Sequence, residues 1–194
     1  MSTFLNGIEV TREGGETLFA SLTHAYDALE NAKKVGLKHL RCVHHWAQSL
    51  RNSDSRLATA AEEQISPPVI HPLIRTHPAN GRKSLYIGFH ASHIDGMDEE
   101  KGWVKLFHLL DFATQDRFVY AHIWRAGDLV VWDNPSLVHK SFHEVQGAAA
   151  STPHLRAWLS SALAERIVVS LVSNWRVSRK GRNVIRETHF QSTF

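Results

Sequence analysis

Trp124 to His139, WRAGDLVVWDNPSLVH, is the stretch whose reading decides the fold. Ala126, Gly127 and Asp128 read as a turn, and Leu129, Val130, Val131 and Trp132 as a strongly apolar strand. Asp133, Asn134 and Pro135 then form a polar corner, after which a second short run ends in His139. A neutral imidazole just past a corner of sheet is a good metal ligand, because a strand holds its orientation more tightly than a loop does. One histidine among 14 is not a site by itself, since a solvated or hydrogen-bonded imidazole is the default.

The neighbouring segments give His139 its context. Upstream lie HPLIRTHPANGRKSLYIG, His71 to Gly88, and GGETLFAS, Gly14 to Ser21. Together with Trp124-Arg125, Gly127-Asp128-Leu129, Trp132-Asp133-Asn134 and His139, they resemble, in order, the taurine and chlorophenoxyacetate dioxygenase family (TauD/TfdA). That family comprises Fe(II)- and 2-oxoglutarate-dependent oxygenases, and the similarity covers most of Leu5 to His139.

Length and composition are compatible with that reading. A chain of 194 residues suits one domain, and 43% hydrophobic with 21% charged residues is ordinary globular composition, which argues against disorder. The net charge is only +3, but Arg166, Arg176, Arg179, Lys180, Arg182 and Arg186 crowd toward the C-terminus. Without a nucleic-acid-binding motif, such a strip reads as a solvated face or an anion pocket. Cys42, the single cysteine, excludes an intramolecular disulfide and fits a reducing compartment. No run approaches the roughly 20 apolar residues of a membrane span, and no signal-peptide layout is present, so a cytoplasmic location is expected.

Taken in order, Phe4 to Val10 reads as a short strand and Glu13-Gly14-Gly15 as a turn. Glu16 to Ala20 reads as a second strand, with Ser21 or Thr23 capping a helix that carries Leu22, Ala25, Tyr26 and Leu29. A second helix is expected over Leu37 to Leu50. Arg51 to Ser66 reads as a polar excursion or lid. Val69 to Arg75 and Ser84 to Phe89 read as strands joined by a turn at His77 to Gly81, with Pro72 favouring an edge position. Glu99 to Ala113 follows a helical period, and Phe118 to Trp124 and Leu129 to Trp132 are expected to pair around Gly127. The class is α+β, mainly β. Many short strands with two or three interposed helices point to a distorted jelly-roll, and the resemblance implies the family's double-stranded β-helix, of the clavaminate synthase-like type and incomplete at the N-terminus.

The resemblance implies specific chemistry. Family members bind Fe(II) through two histidines and one carboxylate, leaving positions for 2-oxoglutarate and dioxygen. His139 matches the distal metal histidine. The other two ligands form an H-x-D pair upstream of GG-x-T, and Met1 stands too close to Gly14 to leave room for it, so the expectation is a truncated chain lacking two of three ligands. One H-x-D occurs at His93-Ile94-Asp95. It is chemically able to bind metal, but the resemblance places it in a loop near the substrate entrance, and an ordinary turn ending in Gly96 is the alternative. Thr17 matches the threonine that donates its hydroxyl to the distal carboxylate of 2-oxoglutarate; a strand threonine chosen for β propensity is the plain alternative.

The co-substrate's carboxylate also calls for an arginine, since a planar guanidinium grips a carboxylate through two hydrogen bonds, and the resemblance implies an R-x-x-x-R pattern soon after the distal histidine. It is found later, as Arg182-Asn183-Val184-Ile185-Arg186 with Thr188 following. Residues 5–145 are therefore read as the family-like core of a single 1–194 domain, 146–180 as an insertion, and 181–194 as the resumed C-terminal strand. Arg182 would pair with 2-oxoglutarate, and Arg186 would face the substrate's anionic group. Histidines 44 and 45 are placed on a helix, His71 and His77 receive no role, and Trp132 is read as core. The implied activity is hydroxylation of a small anionic substrate (a carboxylate, aryloxyacetate or sulfonate), with succinate and CO2 as co-products. The alternatives are an inactive relative that binds a small anion and, third, a basic nucleic-acid-binding module; homo-oligomerisation is left open.

Overall fold

Strict alternation along Thr17–Ser21 (strand β2) puts Thr17, Phe19 and Ser21 on one face and Leu18 and Ala20 on the other. In the computed structural model, which describes residues 2–10, 15–52 and 56–141, this strand is the middle of a three-stranded antiparallel sheet. The expectations for 146–180, Arg182, Arg186 and Thr188 lie outside the described residues. On one side β2 pairs with Leu137–Ser141 (β10), which brings His139 opposite Phe19. On the other it pairs with Val119–His122 (β8), which brings His122 opposite Thr17.

Leu18, Ala20, Val119 and Val138 point the other way, into the hydrophobic core. That core continues through two helices. The first, Leu22–Ala28 (α1), starts where the Ser21 hydroxyl accepts from the His24 amide at 3.2 Å, and it buries Leu22 and Ala25. The long helix Glu99–Ala113 (α5) begins at Asp98, whose carboxylate accepts from the Lys101 amide, and it buries Leu106, Leu109 and Leu110. Its Gly102 is required by packing: an added Cβ would lie 2.8 Å from the Ile94 backbone nitrogen.

The expected helix over Leu37 to Leu50 is replaced by three elements. They are a helix at Asn31–Leu37 (α2), a strand at Arg41–His44 (β3) and a helix at Trp46–Asn52 (α3). The strand prevails because it is paired on both edges, with Val69–Pro72 (β4) and Ala91–Ile94 (β7), so non-local hydrogen bonds override a helical spacing. His44 therefore sits on a strand, and His45 in the link to α3. The polar excursion contains a helix, Ala60–Ile65 (α4), closed by a reciprocal capping box between Thr59 and Glu62. Five α-helices thus stand among the described residues where two or three were expected. The turn at His77 joins a hairpin as expected, but the strand read over Val69 to Arg75 is split: β4 pairs with β3, and Ile74–Thr76 (β5) pairs with Lys83–Leu85 (β6), which replaces the longer Ser84 to Phe89 strand.

Phe118 to Trp124 and Leu129 to Trp132 do not pair with each other. Strand Leu129–Asp133 (β9) pairs instead with Ser2–Asn6 (β1), while β8 goes to β2. Gly7 is the reason: it accepts from the Gly127 amide at 2.7 Å and donates to the Asp128 carbonyl at 2.9 Å, so the turn's hydrogen bonds go to the first strand. Gly127 has φ +90°, a conformation that favours glycine. Among the described residues no helix is long and apolar enough to cross a membrane. The result is mainly short antiparallel strands with interposed helices.

Candidate functional site

The polar corner is built before the site it carries. The Asp133 carbonyl accepts from the Ser136 amide at 3.1 Å, and its carboxylate accepts from the Ser136 hydroxyl at 2.6 Å. His77 Nε2 lies 3.1 Å from the same carboxylate, and Asn134 donates to the Thr3 hydroxyl at 2.7 Å. A corner pinned by this many short contacts fixes where β10 starts and hence where His139 points.

His139 projects from the face that also carries Phe19 and Thr17. Thr17 lies one alternation along β2 from Phe19, so it and His139 are diagonal neighbours across the strand pair, roughly 7–8 Å apart at Cα. The His139 ring sits 4.7 Å from the Trp132 ring and 6.1 Å from that of Phe19, centroid to centroid. Burial lowers its pKa below the ordinary imidazole value, so the ring is neutral at neutral pH and keeps a nitrogen lone pair for a ligand. Thr17 is buried, and its hydroxyl oxygen accepts from Trp124 Nε1 at 2.9 Å. An oxygen already accepting from an indole directs its own proton elsewhere, so the Thr17 hydroxyl keeps a proton it can donate.

Around this pair stand groups that the sequence did not single out. His122, opposite Thr17, has Nδ1 3.3 Å from the Tyr120 hydroxyl and packs edge-on to Trp124 with centroids 4.7 Å apart. The Asp128 carboxylate lies 3.2 Å from His122 Nε2, outside hydrogen-bonding geometry, and accepts from the Arg125 amide at 2.9 Å. Phe19, Tyr120, Trp132 and Leu137 line an adjacent cleft of about 480 Å³, the size range of small-molecule sites. His139 is not part of that lining and meets the cleft through the rings of Phe19 and Trp132. The only sequence signal for Trp124 was its place in the Trp-Arg pair of the motif. For His122 there was none.

His93-Ile94-Asp95 straddles the end of a strand: a turn at Asp95 and Gly96 is present, but the first two residues are not in a loop. His93 and Ile94 belong to β7, with Ile94 fully buried. His93 Nδ1 lies 2.9 Å from the Ser92 hydroxyl and 3.7 Å from a Glu99 carboxylate oxygen, and Asp95 is 3.9 Å from Arg41. That strand lies in the β4-β3-β7 sheet, which does not include β10.

Iron can be tested against these donors. His139 offers one neutral imidazole, and among the described residues no group of three His, Cys, Asp or Glu is placed to hold a metal ion. The described residues alone do not fit a complete iron centre; ligation there requires donors outside them.

The sequence model of the family described as taurine catabolism dioxygenase TauD, TfdA matches residues 2–169. The chain belongs to this family. A TauD/TfdA relative is the alpha-ketoglutarate-dependent 2,4-dichlorophenoxyacetate dioxygenase of Cupriavidus pinatubonensis, 41% identical over 71% of this chain and 48% of that protein. Another is the (S)-phenoxypropionate/alpha-ketoglutarate-dioxygenase of Sphingobium herbicidovorans, 37% identical over 66% of this chain and 47% of that protein. Among solved structures, AAD-2 in complex with Mn(II) and N-oxalylglycine superposes with a TM-score of 0.70 at 38% identity, covering 73% of this chain and 56% of that one. A TauD/TfdA-like fold is therefore shared, and the chain spans about half the length of these curated relatives.

Proposed function

We propose that this chain carries the distal-histidine part of a 2-oxoglutarate-dependent dioxygenase that hydroxylates a small anionic organic substrate, releasing succinate and CO2. An aryloxyacetate-type carboxylate suits it best, because the relatives at 41% and 37% identity are named for a dichlorophenoxyacetate and a phenoxypropionate. In this reading its antiparallel sheets belong to a distorted double-stranded β-helix.

The observation that carries the proposal is the common face of His139 and Thr17. The neutral imidazole of His139 would give one nitrogen to Fe(II), whose chemistry with dioxygen and 2-oxoglutarate supplies the oxidation. Thr17, oriented by Trp124, would donate its hydroxyl proton to the far carboxylate of 2-oxoglutarate. Arg182 would form the second, charged contact to that carboxylate, and Arg186 would face the substrate's anionic group. N-oxalylglycine differs from 2-oxoglutarate by an NH in place of a methylene, so the ligand in the AAD-2 structure is consistent with such a site in a relative.

The remaining iron ligands come from outside the described residues. That leaves a second reading, favoured by the single imidazole: a relative that binds a small anion without oxidising it. Anaerobic titration with Fe(II) and 2-oxoglutarate separates the two. A 1:1 complex with a visible metal-to-ligand charge-transfer band supports the dioxygenase, and 2-oxoglutarate binding without the band supports the non-oxidising relative.

A further inference from the structure

Two indoles meet the His139 face, and among the described residues only one finds an acceptor for its N–H. Trp124 Nε1 donates to Thr17. Trp132 is 5% exposed, packs on the His139 ring at 4.7 Å and on Phe19 at 5.2 Å, and its Nε1 is buried with no hydrogen-bond partner among the described residues. A buried indole N–H nearly always finds an acceptor, because leaving it unpaired forfeits its hydration with nothing in return. Native structures keep such orphans chiefly where a ligand, ion or water takes the bond. Reading Trp132 as plain core accounts for its ring but not for its N–H.

We propose that Trp132 is a ligand-binding donor: its indole N–H hydrogen-bonds a carboxylate oxygen of an anion seated on the His139 face. The inference rests on the proposed function for the existence of that anion. Carboxylate is the class that fits. It accepts without donating, it gains a charge-assisted bond from N–H, and a carboxylate is present on both molecules the site would take. The Phe19 and Trp132 rings bound the cleft beside it, and Trp132 Nε1 is itself buried, a setting that strengthens the bond. The same chemistry could come from 2-oxoglutarate or from an aryloxyacetate substrate.

The test uses the full chain labelled with nitrogen-15, Zn(II) present as a diamagnetic divalent ion, and 2-oxoglutarate or phenoxyacetate added separately. The indole resonances are assigned through bonds, so no variant is needed. A downfield shift of the Trp132 N–H with 2-oxoglutarate assigns the carboxylate to the co-substrate, and a shift with phenoxyacetate assigns it to the substrate; either supports the proposal. In parallel, Trp132→Phe, which keeps an aromatic ring and loses the N–H, is expected to weaken binding of the same ligand about tenfold. Saturable binding of both ligands with an unmoved Trp132 resonance overturns the inference alone. No binding of either ligand overturns the functional reading and the inference with it.

Discussion

Trp124 and Thr17, 107 residues apart in sequence, are joined by a 2.9 Å hydrogen bond from the indole N–H to the threonine hydroxyl, buried on the sheet face that carries His139. The bond occupies one lone pair of the hydroxyl oxygen and turns its proton away from the indole, as the proposed donation to a carboxylate requires. A residue type common in strands for its β propensity is thereby made a directed donor.

Trp124→Phe removes that bond while keeping most of the ring. Thr17 is then free to rotate, and the 2-oxoglutarate affinity measured by calorimetry is expected to fall several-fold. Folding stability should drop by about 1 kcal/mol in a urea titration, the usual worth of a buried neutral hydrogen bond. Unchanged affinity would show that Thr17 does not depend on Trp124.

Gly102→Ala tests the seat of α5 on β7. The new Cβ would lie 2.8 Å from the Ile94 backbone nitrogen, which cannot yield as a flexible side chain would. Alanine's better helix propensity contributes about 1 kcal/mol in favour, whereas overpacking costs about 1–3 kcal/mol, so net destabilisation is expected. A variant as stable as wild type, judged by its urea midpoint, would mean the helix can shift outward at no cost.

The pH dependence follows from His44. Burial, reinforced by His71 and His90 nearby, lowers its pKa from the ordinary 6.5 to about 4. The unfolded chain therefore binds more protons than the folded one between those values. Stability is fully present above the unfolded pKa and is lost as pH falls toward about 4, by on the order of 3 kcal/mol at most. His139 and His90 shift in the same direction through burial and add to the slope. Urea midpoints between pH 7 and 4 check this, and His44→Phe should flatten the curve; a flat wild-type curve would contradict the burial of these imidazoles.

How much of this was legible in the sequence depended on how local the cause was. The turn at Gly127, the corner at Asp133 to Pro135 and the cap at Ser21 depend on residues a few positions apart, and they stand where the residue types place them. Strand β3 was hidden, because Leu40, Val43, His44 and Ala47 have helical spacing and only pairing with β4 and β7 makes Arg41–His44 extended. The exchange of partners by β8 and β9 was hidden for a similar reason: Gly7 captures Gly127 from 120 positions away in the chain. His139 and Thr17 were singled out by motif, but the indole bonded to one and the indole packed on the other became visible only in three dimensions.

Arg182→Ala addresses the register proposed beyond the described residues. If Arg182 grips the co-substrate, losing its guanidinium should weaken 2-oxoglutarate binding by about 2 kcal/mol or more, roughly thirtyfold. Arg186→Ala should instead weaken phenoxyacetate binding and leave 2-oxoglutarate alone. If the two effects are exchanged, the assignment of the pair is reversed.

The most direct test of the shared face is a crystal structure of the chain grown anaerobically with Mn(II) and N-oxalylglycine. The account predicts the ligand lying over the β10–β2 face, metal on a His139 ring nitrogen, and a carboxylate oxygen within hydrogen-bonding distance of the Thr17 hydroxyl. Ligand bound elsewhere, or a His139 ring turned away from a ligand held by Thr17, would contradict it.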